Sequence, residues 1–132
     1  MVVDVSAELY KFQVNDEIKD RIVSQWREVS ADEKHHLHDR VDEILRPLGD
    51  ETSLVVMRCA NGMYVAMYFI CMTLSALMSL RDQWCSRQLR DIVQSLFTLL
   101  SSVTYTINVD RLTWPLSDYK RFLDFFSSVH GK

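Results

Sequence analysis

The stretch HHLHD, His35 to Asp39, is the one local group of side chains in this sequence with metal-ligand chemistry. Imidazole and carboxylate on one helix could hold a divalent ion that activates water. Such a centre draws its ligands from several helices, however, and the later sequence supplies no second His or acidic cluster; His130 stands alone near the C-terminus. His35 and Asp39, four residues apart, more simply form a solvated helical pair. No Ser-His-Asp order, Gly-rich phosphate loop or isolated activated Cys offers another catalytic centre. Cys59, Cys71 and Cys85 are odd in number, form no CxxC pair and sit in or beside apolar sequence. They read as core residues of a reduced, cytosolic compartment rather than as a disulfide framework or zinc site. The reading is of a protein that binds rather than catalyses, with no cofactor and no metal.

The elements that would carry such residues read as helices. Only three Gly and two Pro punctuate 132 residues, too few turn residues for an all-β domain of this size, so the expected fold class is all-α in one domain spanning 1–132. The net charge of −3 is spread over both signs, with no basic stripe for a nucleic-acid backbone. The N-terminus has acids where a signal peptide needs positive charge followed by an apolar run.

Asn15, Asp16 and Glu17 supply an N-cap and acidic first turn, after which Ile18, Ile22, Val23, Trp26 and Val29 share a helical face. Leu9 and Phe12 before it suggest a preceding turn. SADE, Ser30 to Glu33, fits a capping box, predicting a second helix from near Ala31 with Leu37, Val41, Ile44, Leu45 and Leu48 inward and Gly49 ending it. Asp50 and Thr52 can start a third helix, kinked or broken at Asn61-Gly62. A fourth buries Leu89, Ile92, Val93, Leu96, Leu99, Leu100 and Val103. TYTINV is read as its frayed end and a short helix after it. Trp114-Pro115 marks a corner before a last helix with Tyr119, Phe122, Leu123, Phe126 and Val129 inward.

Cys59 to Leu80, CANGMYVAMYFICMTLSALMSL, carries no charge and is long enough to cross a bilayer. Its interior Asn61, Gly62, Thr73, Ser75 and Ser79, with single arginines on both flanks, argue against a span. At least four other helices have apolar faces to cover, and a helix apolar all round is what they would cover. The expectation is a central helix wrapped by its own chain.

That layout resembles the Bcl-2 family of apoptosis regulators, and most of all the divergent homologues of large DNA viruses such as iridoviruses and poxviruses. NGMYVAMYFICMTLSA from Asn61 resembles the family's Asn-Trp-Gly-Arg stretch leading into its central helix. HDRVDEILRPL from His38 is similar to the amphipathic helix before it, and LTWPLSDYKRFLDFF from Leu112 to the later Trp corner and aromatic helix. The motif's Trp is absent and Met63 takes the place of its Arg, leaving Arg58, one turn upstream, as the nearest cation. In a second register VDEILRPLGDE, Val41 to Glu51, matches the family's BH3 pattern.

The resemblance implies a Bcl-2-like helical bundle that sequesters BH3 helices of pro-apoptotic proteins, such as Bim and also Bak or Bax, in an apolar groove. The groove residues it implies are Leu45, Leu48, Met57, Arg58, Asn61, Gly62, Met63, Tyr64 and Met67. It further implies an anti-apoptotic viral protein in the host cytoplasm, reaching mitochondria through its partners. The family's members mostly end in an apolar anchor, whereas this chain ends SSVHGK with no membrane span. Two alternatives stand beside this reading. One is an all-α adaptor or scaffold, dimeric through Trp26, Trp84 or the Phe-rich last helix. The other is a metal phosphohydrolase of the His-Asp type built on His35 to Asp39.

Overall fold

The computed structural model describes residues 2–9, 16–32, 34–60, 62, 64–102, 109–115, 119–121 and 123–124. The chain runs β1 (Val2–Leu9), α1 (Asp16–Ala31), α2 (His38–Leu45), a 3-10 turn (Arg46–Leu48), β2 (Thr52–Cys59), β3 (Tyr64–Cys71), α3 (Leu74–Cys85), α4 (Gln88–Ser101) and β4 (Val109–Thr113). The strands form one antiparallel four-stranded sheet in the order β2-β3-β1-β4. The expected all-α fold, and with it the helical bundle of Bcl-2 type, is therefore corrected to a mixed α/β fold.

The correction turns on the uncharged stretch. It is the end of β2, a hairpin turn, β3 and then α3, not one helix. Tyr64, Val65, Tyr68, Phe69 and Ile70 are β-branched or aromatic residues that suit a pleated surface. Gly62 has φ +70°, the left-handed conformation that lets the chain reverse. Thr73 ends the strand and caps α3, its Oγ1 accepting from the Ala76 N–H at 3.1 Å and donating to Glu51 at 2.6 Å. Among the described residues no helix is long and apolar enough to cross a membrane.

The two central strands have two unlike faces. Val3, Val5, Ala7 and Leu9 of β1 alternate with Asp4, Ser6 and Glu8, and the first set is buried. They pair across to Phe69, Met67 and Val65 of β3, which are buried as completely. All four helices lie against this inner face or against one another over it. α1 contributes Ile18, Ile22, Val23, Trp26 and Val29, and α4 contributes Leu89, Ile92, Val93, Leu96, Phe97 and Leu100. Those faces are the ones that the helical spacing predicts, with Phe97 added and Leu99 only partly buried. Val103, Phe122, Phe126 and Val129 lie outside the described residues. The second helix starts at His38 rather than near Ala31, because Asp32 accepts from the Lys34 N–H and turns the chain there. Gly49 ends the 3-10 turn at φ +86°, as expected.

Helix α1 is fastened to the sheet by polar contacts as well as by its apolar face. The buried Lys19 reaches the β2–β3 turn and donates to Ala60 O at 3.2 Å and Gly62 O at 2.6 Å. Trp26 Nε1 donates to Val55 O at 3.2 Å, where β2 bulges between Leu54 and Val56. Arg21 donates to Ser101 O at the end of α4, placing a cation at a helix C-terminus. The opposite edge is treated alike. Trp84 Nε1 donates to Leu112 O at 3.0 Å, and the Val109 N–H donates to Gln94 Oε1 at 2.8 Å. A bulge on β2 and side chains seated on β4 blunt the two edges against strand addition.

The cysteines divide. Cys71 is in the core, whereas Cys59 and Cys85 are exposed, correcting the expectation that all three are buried. Burial pushes the Cys71 thiol above its ordinary value, against the smaller lowering effect of the Thr52 hydroxyl. The unfolded thiol then ionises first, so stability is present in full below the ordinary thiol pKa of 9.0 and declines as pH rises past it. Urea unfolding at increasing pH should show that decline in the wild type and a smaller one in Cys71→Ala.

The hairpin makes a second, sharper prediction. Gly62→Ala should destabilise by about 1 kcal/mol, since a side chain at positive φ is disfavoured there, while a helix at this position would gain about as much from the same change. Phe69→Ala should cost about 3–5 kcal/mol. The sign for Gly62→Ala in urea melts decides between strand hairpin and helix.

Candidate functional site

The residues predicted to line one groove are dispersed. Leu45 and Leu48 belong to α2 and the 3-10 turn, where with Trp26, Val41 and Leu54 they floor a cleft of about 470 Å³. Met57 and Met67 are directly paired across β2 and β3 and point into the core, at 4% and 0% exposure, so no partner reaches them. Gly62 is exposed at the hairpin turn. Arg58 and Tyr64 lie on the opposite face of the sheet. Asn61 and Met63 fall outside the described residues. A helix-capturing groove needs helical walls around a central helix, and the segment assigned to that helix is the end of β2, a hairpin turn, β3 and the first half of α3.

The metal reading fares differently. His38, Asp39 and Asp42 of α2 hold ligand-type atoms within 4.8 Å of one another. His38 Nδ1 stands 3.2 Å from Asp42 Oδ2 across one helical turn, and Asp39 and Asp42 are exposed. His35 and His36 stack on each other at 4.5 Å instead of joining them. His35 Nδ1 accepts from the Leu37 N–H at 3.2 Å, and Nε2 lies 3.8 Å from Glu28. These contacts shape the corner between α1 and α2. Among the described residues no side chain from another element completes the group on α2. Among the described residues, the neighbouring cleft, with His38 and Asp42 at its rim, is lined by no Cys, and the Ser30 hydroxyl donates to Arg27 O.

The surface that the topology leaves open is the outer face of the sheet. The side chains between the buried ones emerge there in rows set by the register: Val2 beside Ile70, Asp4 beside Tyr68, Ser6 beside Ala66 and Glu8 beside Tyr64. On the flanking strands Ser53 extends the first row, Val56 the second and Arg58 the third. Thr113 adjoins Ser6, and Arg111 adjoins Glu8. No described helix covers these rows. Val2 and Val56 are 51% and 45% exposed, while Tyr64, Tyr68 and Ile70 are half-buried among their neighbours.

Two cross-strand contacts organise this face. Arg58 donates to the Tyr68 hydroxyl oxygen, and its guanidinium carbon lies 5.3 Å from the centre of the same ring. That bond uses the hydroxyl's acceptor and leaves its O–H to donate. Arg111 Nε stands 3.5 Å from Glu8 Oε2. Ala66 and Ser6, the smallest side chains on the face, occupy its middle between the two Tyr–acid rows. Sequence reasoning placed Arg58 and Tyr64 in a site but missed Tyr68, Ala66, Asp4, Ser6 and Glu8. The alternation in VVDVSAEL carried the signal for the last three.

No family model matches the chain, and neither the curated proteins nor the solved structures provide a match. The class of the molecule therefore rests on its own architecture: a two-layer α/β domain with one sheet face covered by helices.

Proposed function

We propose that the chain is a non-catalytic interaction domain that pairs with a second copy of itself through the sheet face that no described helix covers. The register of the central strands carries this reading. Since the sheet order is β2-β3-β1-β4, its midline falls between β3 and β1. A twofold axis along that midline lays β3 of one copy over β1 of the other. Tyr68 then meets the second copy's Asp4 position, Tyr64 meets Glu8, and Ala66 meets Ser6. Hydroxyl donors face carboxylates in both directions, and the small central row gives the tyrosine rings room to interdigitate across the ~10 Å that separates packed sheets.

The area fits a modest interface. Three strands of 8 residues and one of 5 present a face about 19 Å wide and up to about 27 Å long, or somewhat under about 500 Å² of planar surface on each copy. Two such faces fall near the lower limit of specific interfaces, about 1,200 Å² in total, which supports a dimer that dissociates on dilution. Tyr and Arg at the centre of the face are the residue types that carry binding energy where packing is close. The dimeric adaptor reading is thus kept with another surface. Trp26 and Trp114 are buried, and Trp84 is partly buried with its N–H already engaged, so the tryptophans are poor anchors. BH3-helix capture draws no support from this geometry.

Sedimentation equilibrium of the wild type should show a monomer–dimer equilibrium with a dissociation constant in about the micromolar range. Tyr68→Glu, which sets a charge against the facing acid, should remove dimer at all loading concentrations. Arg40→Gln, on exposed α2, should leave it unchanged. A wild type that remains monomeric at millimolar concentration, or a Tyr68→Glu protein that still dimerises with wild-type affinity, would overturn the proposal.

A further inference from the structure

The joint between α3 and α4 turns on Ser86 and Arg87, and the side chains around it converge on the edge of β4. They line a cleft of about 600 Å³, formed by Trp84, Cys85, Arg87 and Arg90 on the helical side and by Arg111, Leu112 and Thr113 on the strand. In a chain with net charge −3, three arginines meet here, and among the described residues no acid lines the cleft. We infer that this cleft binds a small organic phosphate, its anionic group held by Arg87, Arg90 and Arg111 and its apolar body resting on Trp84 and Leu112.

Four observations support the assignment. Arg87 and Arg90 are exposed, and among the described residues neither makes an ion pair, so their charge is not spent within the fold. Arg111 is engaged only through Nε, with Glu8, which leaves the other two guanidinium nitrogens for the cleft. Arginine forks match the paired oxygens of a phosphate, and a phosphate monoester presents three acceptor oxygens to three forks. Finally, the cleft has the volume of a small-ligand site and an apolar wall. Trp84 is fixed in that wall by its bond to Leu112 O and by the Trp114 ring at 5.7 Å. Helix α4 also begins at this point, with Arg87 as its N-cap residue and no side chain capping it, so the first-turn N–H groups add a favourable field for an anion. A carboxylate ligand would leave one of the forks without a partner, which favours phosphate.

The test is a set of titrations by calorimetry and by tryptophan fluorescence, using phenyl phosphate, adenosine 5′-monophosphate, inorganic phosphate and adenosine. The organic phosphates should bind saturably with dissociation constants below about 1 mM. Inorganic phosphate should bind at least about tenfold more weakly, adenosine should not bind, and added salt should weaken every positive result. The Arg87→Gln/Arg90→Gln double variant changes two exposed side chains; its thermal melt should match the wild type while its affinity falls about tenfold or more. Arg40→Gln should bind as the wild type does. Absence of saturable binding by both organic phosphates would overturn the inference, as would undiminished affinity in the double variant. Equal affinity for inorganic phosphate would overturn the apolar wall. Arg111 borders both surfaces, so the titrations are repeated in Tyr68→Glu, where binding should persist without the dimer.

Discussion

The structure depends on α1 to α4 lying on one side of the sheet. An antiparallel sheet needs one dry face, and here β1 and β3 supply it with Val3, Val5, Ala7, Val65, Met67 and Phe69, none more than 1% exposed. Burial of that order contributes about 1.5–3 kcal/mol for each large side chain before ordering costs are subtracted. Once α1 and α4 have spent their apolar faces there, no described helix remains for the other side. The alternate residues of the same strands must therefore tolerate water or find another surface. Asp4, Ser6 and Glu8 on β1 are half-buried, with one carboxylate oxygen each of Asp4 and Glu8 shielded from water. Tyr64, Tyr68 and Ile70 on β3 can do both, being apolar bodies of which two carry a polar tip.

Polar contacts set where each helix sits over that layer. Apolar packing alone would let α1 slide along β2; Lys19 at the hairpin turn and Trp26 at the bulge fix its two ends in register with the strand. A charged donor buried at 5% exposure is costly unless its hydrogen bonds are made, which turns the Lys19 contact into a constraint on the turn as much as an attraction. Gln83, donating to Pro47 O at 2.9 Å, ties α3 to the 3-10 turn in the same manner. These long-range side chain to backbone bonds also occupy carbonyls at the sheet edges, so one set of contacts locates helices and limits aggregation.

The helices were legible because their signal is a periodicity of their own. Ile18, Ile22, Val23, Trp26 and Val29, and Leu89, Ile92, Val93, Leu96 and Leu100, lie where the spacing puts them. The strands were not, for two physical reasons. In β3 both faces are apolar or aromatic, so YVAMYFIC has no polar alternation and a short apolar run is compatible with strand or helix. In β2 the bulge at Val55 breaks the period of two, giving consecutive exposed residues in the middle of the strand. β1 did alternate, but its first residues were weighed as a prelude to α1 rather than as a strand needing a partner some sixty positions later. Asn61-Gly62 reads as a break within a helical pattern, although the same dipeptide is a strong hairpin signal between β-prone runs. The expectation of a helical bundle, founded on one central helix, failed with that helix. The site residues assigned through it scattered over core, cleft and face for the same reason: helical spacing groups residues three and four apart, and a strand sends neighbours to opposite sides.

Arg111 shows how the sheet joins the two surfaces assigned here. It is the β4 residue beside Glu8 on the open face, and it also lines the cleft at the α3–α4 corner. An exposed ion pair, with the Arg111 side chain 77% accessible, contributes little stability. Its value is geometric. Nε, the nitrogen bonded to the side-chain stem, is the one that stands 3.5 Å from Glu8, so the two terminal nitrogens keep their N–H donors for another acceptor. Lysine, with one rotating ammonium, could not serve a carboxylate on one side and an oxyanion on another in fixed geometry. The bulge between Glu8 and Leu9 adds to this, since the extra residue on β4 re-aims the strand where Arg111 leaves it. An irregularity in pairing and a fork of donors thus let one side chain at the sheet edge face both ways.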